Sequence, residues 1–179
     1  MAAISVVSAR PATEVERGSL LKAILHVEEV ALPATWRDPD SETYLRAKLH
    51  DESAITLVIS KGGSVIGYLL AIPLASVLPD LAPFDSDICL EGDSYYVDAF
   101  SVIPHGGFGV VRGVMRSLES EMKERGITKL CMHARVSNGL SGLLIRYFGD
   151  AITCLRRIDR WAWYNGEEST DFLRLVIQK

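Results

Sequence analysis

At 179 residues, 48% hydrophobic and 23% charged, the chain is long enough to bury one core and too apolar to be disordered. Its 23 acids against 19 bases leave a net charge of -4, which excludes the basic face of a general nucleic-acid binder. No apolar run approaches the roughly 20 residues that cross a bilayer, and the apolar start MAAISVVSAR lacks the basic region of a leader; the expectation is a cytoplasmic protein with no membrane partner.

Residues 4–10 (ISVVSAR) read as a first strand, closed by Arg10-Pro11. Thr13 then stands as an N-cap, with Glu14 and Glu16 in the first turn, where the helix dipole favours acids. Val15, Leu20, Leu21, Ile24, Leu25 and Val27 recur at helical spacing, so a helix is predicted over 14–30, ending at Leu32-Pro33. Asp40 or Ser41 caps a second, short helix, SETYLRAKLH, with Tyr44, Leu45 and Leu49 on one face. The runs AITLVIS (54–60) and SVIGYLLAIPL (64–74) flank Lys61-Gly62-Gly63 and predict a hairpin.

Residues 75–93, rich in Pro and Asp, read as irregular and too polar for a core element. A strand follows over 95–103, then an amphipathic helix from Val110 to Arg125, ended by Gly126. ITKLCMHARV is a strand, and GLSGLLIRYF a helix opened by Asn138. AITCLRRIDRWAWY and TDFLRLVIQ form a closing antiparallel pair around Asn165-Gly166. The order predicts a single domain over 1–179: a mixed sheet of seven strands with helices on its faces, in the α/β or α+β class. Cys89, Cys131 and Cys154 have no metal spacing and read as structural thiols, with neither a disulfide nor a zinc site.

One stretch asks for a ligand. In SYYVDAFSVIPHGGFGVVRGVM (94–115), a strand ends at Pro104, and Gly106, Gly107 and Gly109 precede a helix. Free backbone N–H groups at the positive end of a helix dipole make an anion site, and glycine lets a phosphate approach closely. Such glycines also serve plain turns, and neither GxxxxGK[ST] nor GxGxxG fits the run.

Element order and loop position together resemble the GNAT superfamily of acetyl-CoA-dependent N-acetyltransferases, over nearly the whole chain. Arg10-Pro11-Ala12-Thr13 is similar to the R-x-A that follows the family's first strand, and Gly67-Tyr68 to the v-x-G-y/f of its third. Tyr95-Tyr96-Val97-Asp98-Ala99-Phe100-Ser101-Val102-Ile103-Pro104 resembles its fourth strand, and Gly107-Phe108-Gly109 the G-x-G of its pyrophosphate loop. Val136-Ser137-Asn138, followed by a short helix and Phe148-Gly149, resembles its Asn-bearing segment.

The resemblance implies a mostly antiparallel sheet with helices on both faces, acetyl-CoA as co-substrate with no metal, and transfer of acetyl to a primary amine by direct attack. The amine would be a small amine, polyamine, amino acid or peptide. It implies that the Val102 N–H polarises the thioester carbonyl, that Ser101 and Ile103 pair with the pantetheine, and that amides from His105 and Gly106 through Gly107, Phe108 and Gly109 to Val110 hold the pyrophosphate. Asn138 joins this cofactor set, and a homodimer is an assembly the fold allows.

The sequence departs from the family pattern at two places. The loop is shorter than usual, with Pro104 where the family carries Arg or Gln; Arg112 stands a turn into the helix as a compensating cation or a solvated one. Ile145 occupies the place of the family's acid tyrosine, and Tyr147 lies about 200° further around the helix, as a displaced acid or a packing aromatic.

For the base, Asp98 shares a strand face with Tyr96 and Phe100 and is expected to be buried, with a raised pKa, or else to be a strand-end carboxylate satisfied by backbone N–H groups. His133 is a second candidate base or a satisfied core histidine. The acids Asp80, Asp85, Asp87, Glu91 and Asp93 would favour a cationic amine or form a solvated loop. Trp36, Glu91, Tyr96 and Tyr164 are the candidate acceptor contacts, with Tyr44, Trp161 and Trp163 beside them. The competing readings are a CoA-binding or interaction module of the same fold with little turnover, and a structural protein whose glycines only turn the chain.

Overall fold

A computed structural model describes residues 3–11, 13–103, 107–163 and 166–177. In chain order its elements are β1 (Ile4–Ser8), α1 (Glu14–Ala31), α2 (Ser41–His50), β2 (Ile55–Lys61), β3 (Ser64–Pro73), α3 (Leu74–Leu81), β4 (Ser94–Val102), α4 (Gly107–Glu124), β5 (Lys129–Arg135), α5 (Leu140–Phe148), β6 (Ile152–Trp163) and β7 (Gly166–Val176). The strands form one mixed sheet in the order β1-β2-β3-β4-β5-β7-β6. The predicted class and seven-stranded mixed sheet hold, and the element order holds apart from α3, a helix where none was expected. The chain divides into two compact units, Met1–Ala71 with Ala99–Leu118, and Ile72–Asp98 with Glu119–Lys179. No helix among the described residues is long and apolar enough to cross a membrane.

In the first unit, α1 opens as the sequence predicts. Thr13 Oγ1 accepts from the Glu16 N–H at 3.2 Å, and Glu16 Oε2 accepts from the Thr13 N–H at 3.0 Å. This reciprocal capping box satisfies two orphan donors. Thr13→Ala is expected to lower stability by about 1 kcal/mol in urea melts, since only one exposed cap is lost. The inward face of α1 buries Leu21, Ile24 and Val27. Glu28 faces β3 and α2 together, accepting from Tyr68 Oη at 2.5 Å and from Ser41 Oγ.

The β2–β3 hairpin turns at Gly62 and Gly63, both at positive φ (59° and 83°), where glycine meets no steric penalty. β2 also pairs antiparallel with β1. The β2–β3 register shifts between Ile59 and Ser60: Ile59 faces Gly67 while Ser60 faces Val65, leaving Ile66 as an extra residue on β3.

In the second unit, β7 runs antiparallel to both β5 and β6, and β5 pairs parallel with β4 from Ser94↔Lys129 to Val97↔Met132. The expectation of an irregular 75–93 is corrected at its start, because α3 buries Leu74, Val77 and Leu81, one helical stripe. Pro79 suggested a break, yet inside a helix its ring removes one N–H bond, and here it lies on the exposed side. The three cysteines are free, and burial pushes the Cys131 thiol up to about 12.

Candidate active site

The end of β4 is shaped by Gly67. A β-carbon there would lie 2.7 Å from the Ser101 carbonyl oxygen, 2.9 Å from Ile59 Cδ1 and 3.1 Å from Val102 Cα, so only glycine lets β3 and β4 approach this closely. Just beyond, the Ile103 N–H donates to the Ile66 carbonyl at 2.8 Å, using the extra residue of β3. The backbone groups of successive strand residues point to opposite edges. Ser101 and Ile103 therefore turn their backbone to β3, and Val102 turns its N–H and carbonyl away from it. Of the residues the resemblance placed on the cofactor, the Ile103 N–H is thus taken by Ile66, and the Val102 backbone faces the other edge.

The following helix starts earlier than predicted. Gly107, Phe108, Gly109 and Val110 form the first turn of α4 instead of a loop ahead of it. The first four N–H groups of a helix lack intrahelical partners and carry its positive pole. Among the described residues, no atom beyond its chain neighbours and its own helix lies within 4 Å of where a Gly109 β-carbon would stand, so packing does not call for glycine there. Val110 anchors the turn in the core, whereas Arg112 is exposed. His105 and Gly106, and Pro104 with them, lie outside the described residues.

The second unit holds a polar cluster that the sequence did not disclose. His133 on β5, Phe172 on β7 and Arg156 on β6 are direct cross-strand neighbours and so share one face. Asp85 lies against this row. It accepts from Arg156 through both carboxylate oxygens, at 2.7 and 2.6 Å, and lies 3.0 Å from His133 Nε2. The other imidazole nitrogen, Nδ1, is 3.0 Å from Tyr96 Oη. Trp161 stacks on the imidazole at 4.0 Å between centroids, and Phe172 tilts against it.

Only 1% of the Asp85 side chain and 3% of the His133 side chain are exposed. Burial alone would raise the Asp85 carboxyl, but hydrogen bonds from His133 and Arg156, with the Arg156 charge, outweigh it and hold it well below the usual carboxylate range. Burial pushes His133 down, more than Asp85 pulls it up. A neutral imidazole beside an ionised carboxylate has one arrangement: Nε2–H donates to Asp85, and Nδ1 accepts from Tyr96.

Glu91 is also paired, nearer the solvent. It takes an ion pair from Arg174 and one from Lys129 at 3.4 Å, while Arg174 also donates to the Cys89 carbonyl at 3.1 Å. Of the five acids expected to draw a cation, Asp85 and Glu91 are thus matched from within the protein, and Asp87 lies 3.8 Å from Arg156.

Neither a family profile nor a curated protein matches the amino-acid sequence. Solved structures do match it. The ribosomal-protein-S18-alanine N-acetyltransferase from Escherichia coli superposes with a TM-score of 0.66 at 17% identity, over 99% of this chain and 96% of that one. The putative acetyltransferase yncA from Salmonella typhimurium, solved with acetyl-CoA, gives 0.64 at 17%, over 99% and 95%. The spermidine/spermine N-acetyltransferase SpeG from Vibrio cholerae gives 0.62 at 16%, over 97% and 93%. The chain has the GNAT fold.

Within that GNAT fold, the remaining candidates fall as follows. Asp98, on the Tyr96 face of β4, is half-buried where full burial was expected. Tyr147 on α5 packs edge-on against Phe148, with centroids 4.9 Å apart. Asn138 is exposed and accepts from the Leu140 N–H at 3.0 Å; Gly139 takes the cap position itself, at φ 75°. Trp36 is half-buried in a 3₁₀ turn, Ala34–Trp36, and the next residue, Arg37, donates to the Glu29 and Leu32 carbonyls at 2.7 and 3.0 Å, closing the end of α1. Tyr164 lies outside the described residues. The signal that could have found Arg156 was the cross-strand register, which places His133, Phe172 and Arg156 in line, and nothing local marks Asp85.

Proposed function

We propose that this protein is an N-acetyltransferase that moves an acetyl group from acetyl-CoA to a primary amine by direct attack. The observation that carries the reading is the end of β4: Val102 turned away from β3 by the Gly67 approach and the Ile103–Ile66 bond, followed after four residues by a helix start. Bound acetyl-CoA supplies an activated thioester. The chain supplies an N–H donor at Val102 aimed at a developing oxyanion, which is backbone chemistry and needs no special side chain. The first-turn amides of α4, from Gly107 to Val110, would hold phosphate oxygens, and the open space over Gly109 fits that use. Asn138 extends the cofactor set in this reading, and Trp36 and Tyr96 are its acceptor contacts. Tyr147 is its candidate acid for the thiolate.

A melting titration with acetyl-CoA checks the reading. At about 100 times the dissociation constant the ligand is expected to add roughly 2.7 kcal/mol, a rise in Tm of about 5–10 °C. Amine-dependent release of free thiol should follow when amines are screened. A saturable shift without thiol release on any amine would point to a CoA-binding module, and no shift at millimolar acetyl-CoA would end the enzyme reading.

A further inference from the structure

We propose that Tyr96, His133 and Asp85 form a proton relay, and that the Tyr96 phenol is the group that takes the proton from the acceptor amine. This rests on the acetyl-transfer reading above and names its base.

The geometry is that of a nucleophile–base–orienter chain with a phenol in the first place. Tyr96 Oη lies 3.0 Å from His133 Nδ1, and His133 Nε2 lies 3.0 Å from Asp85 Oδ2. Arg156 grips both Asp85 oxygens, which keeps the carboxylate ionised and fixed. Trp161 and Phe172 hold the imidazole plane from two strands. Among the described residues, the charged groups facing His133 are Asp85 from the segment after α3 and Arg156 from β6, and Tyr96 from β4 is a further polar neighbour. An ionised Asp85 sets Nε2 as the protonated nitrogen, leaving the Nδ1 lone pair for the phenol proton.

The step balances. The amine nitrogen forms its C–N bond to the acetyl carbon and passes one proton to Tyr96 Oη, while the phenol proton moves to His133 Nδ1. The resulting imidazolium is held by Asp85. The C–S bond breaks, and the same proton returns through Tyr96 to the departing thiolate, leaving the relay neutral again. The proton comes to rest on the His133 imidazole beside the ionised Asp85, and the phenol passes it on without being left as phenolate. Tyr96 shares its β4 face with Asp98 two residues on, about 7 Å away along the strand, so the two candidates address the same side of β4.

Two measurements test the relay. In 15N-edited NMR of the free protein, His133 is expected to carry its proton on Nε2, and Tyr96→Phe should move the Nδ1 resonance while leaving Nε2 protonated. A proton on Nδ1 instead would overturn the relay, since that nitrogen could not accept from the phenol. In kinetics, Tyr96→Phe is expected to lower kcat by about 10²–10⁴, with the acetyl-CoA melting shift intact. His133→Gln should do likewise and remove the acid limb of the kcat/KM pH profile. If Tyr96→Phe keeps the wild-type kcat and limb while Asp98→Asn loses both, the base is Asp98 and the relay is wrong. If the wild-type protein shows neither an acetyl-CoA shift nor thiol release, the acetyl-transfer reading falls first, and the role given to Tyr96 falls with it.

Discussion

Gly67→Ala is expected to destabilise the protein by about 3 kcal/mol, a fall in Tm of about 6–12 °C. The new methyl would stand 2.7 Å from a backbone oxygen and 2.9 Å from a core methyl that is itself fully buried. A flexible side chain can swing aside, but Ser101 and Val102 are strand backbone, so β4 must move or β3 must. Ile59, opposite Gly67 in the register, cannot swing out into solvent without leaving the core. Urea melts of the variant measure the loss, and a value near zero would show that the approach of the two strands is soft. In the reading given above the same methyl also displaces the Val102 N–H, so acetyl-CoA should no longer raise the Tm of whatever folded protein remains.

Asp85→Asn is the second large effect, at about 3 kcal/mol in urea melts at pH 7. The amide keeps the shape and the contact with His133 but leaves Arg156 without its counter-charge. The loss stays at the lower end for a broken buried pair because 28% of the Arg156 side chain is exposed and Asp87 is near. Acid should act on the same cluster.

His133 has a folded pKa below its unfolded value near 6.5, so between the two the unfolded chain binds more protons. Its contribution is complete above pH 6.5 and is lost as pH falls towards the folded value, by at most about 1.4 kcal/mol per pH unit. Asp85, also depressed, keeps its contribution down to the unfolded carboxylate pKa near 3.9 and loses it only below. Wild-type stability should therefore begin to slope downward below pH 6.5, and His133→Gln should flatten that first slope while leaving the one below pH 4.

Local chemistry made much of the fold legible. Thr13 with Glu16, Gly62 with Gly63, and the boundaries of Ser41–His50 are signals that neighbours in sequence send each other, and the structure keeps all three. α3 was hidden because Pro79 and the acids after it masked the stripe of Leu74, Val77 and Leu81. The start of α4 was placed late for a related reason: glycine reads as loop, although a first helical turn is where its low propensity matters least. The site was less legible. Val102 was singled out by the likeness to the family's fourth strand, whereas the Ile103–Ile66 bond depends on an extra residue in β3 that no pattern in SVIGYLL announces. The Asp85 cluster gathers residues scattered from position 85 to 172, and the register of β5, β7 and β6 aligns only His133, Phe172 and Arg156 among them.

The stretch between α3 and β4 is fastened at two points of different character. Its Asp85 fastening is dry, and its Glu91 fastening is wet, with 40% of that side chain open to solvent. Dissolved ions reach the second and not the first: near 1 M salt the screening length shrinks to about 3 Å, which weakens exposed pairs and spares buried ones. Ionic strength thus becomes a selective key, freeing the end next to β4 while the end next to α3 stays shut, so the segment peels from one side.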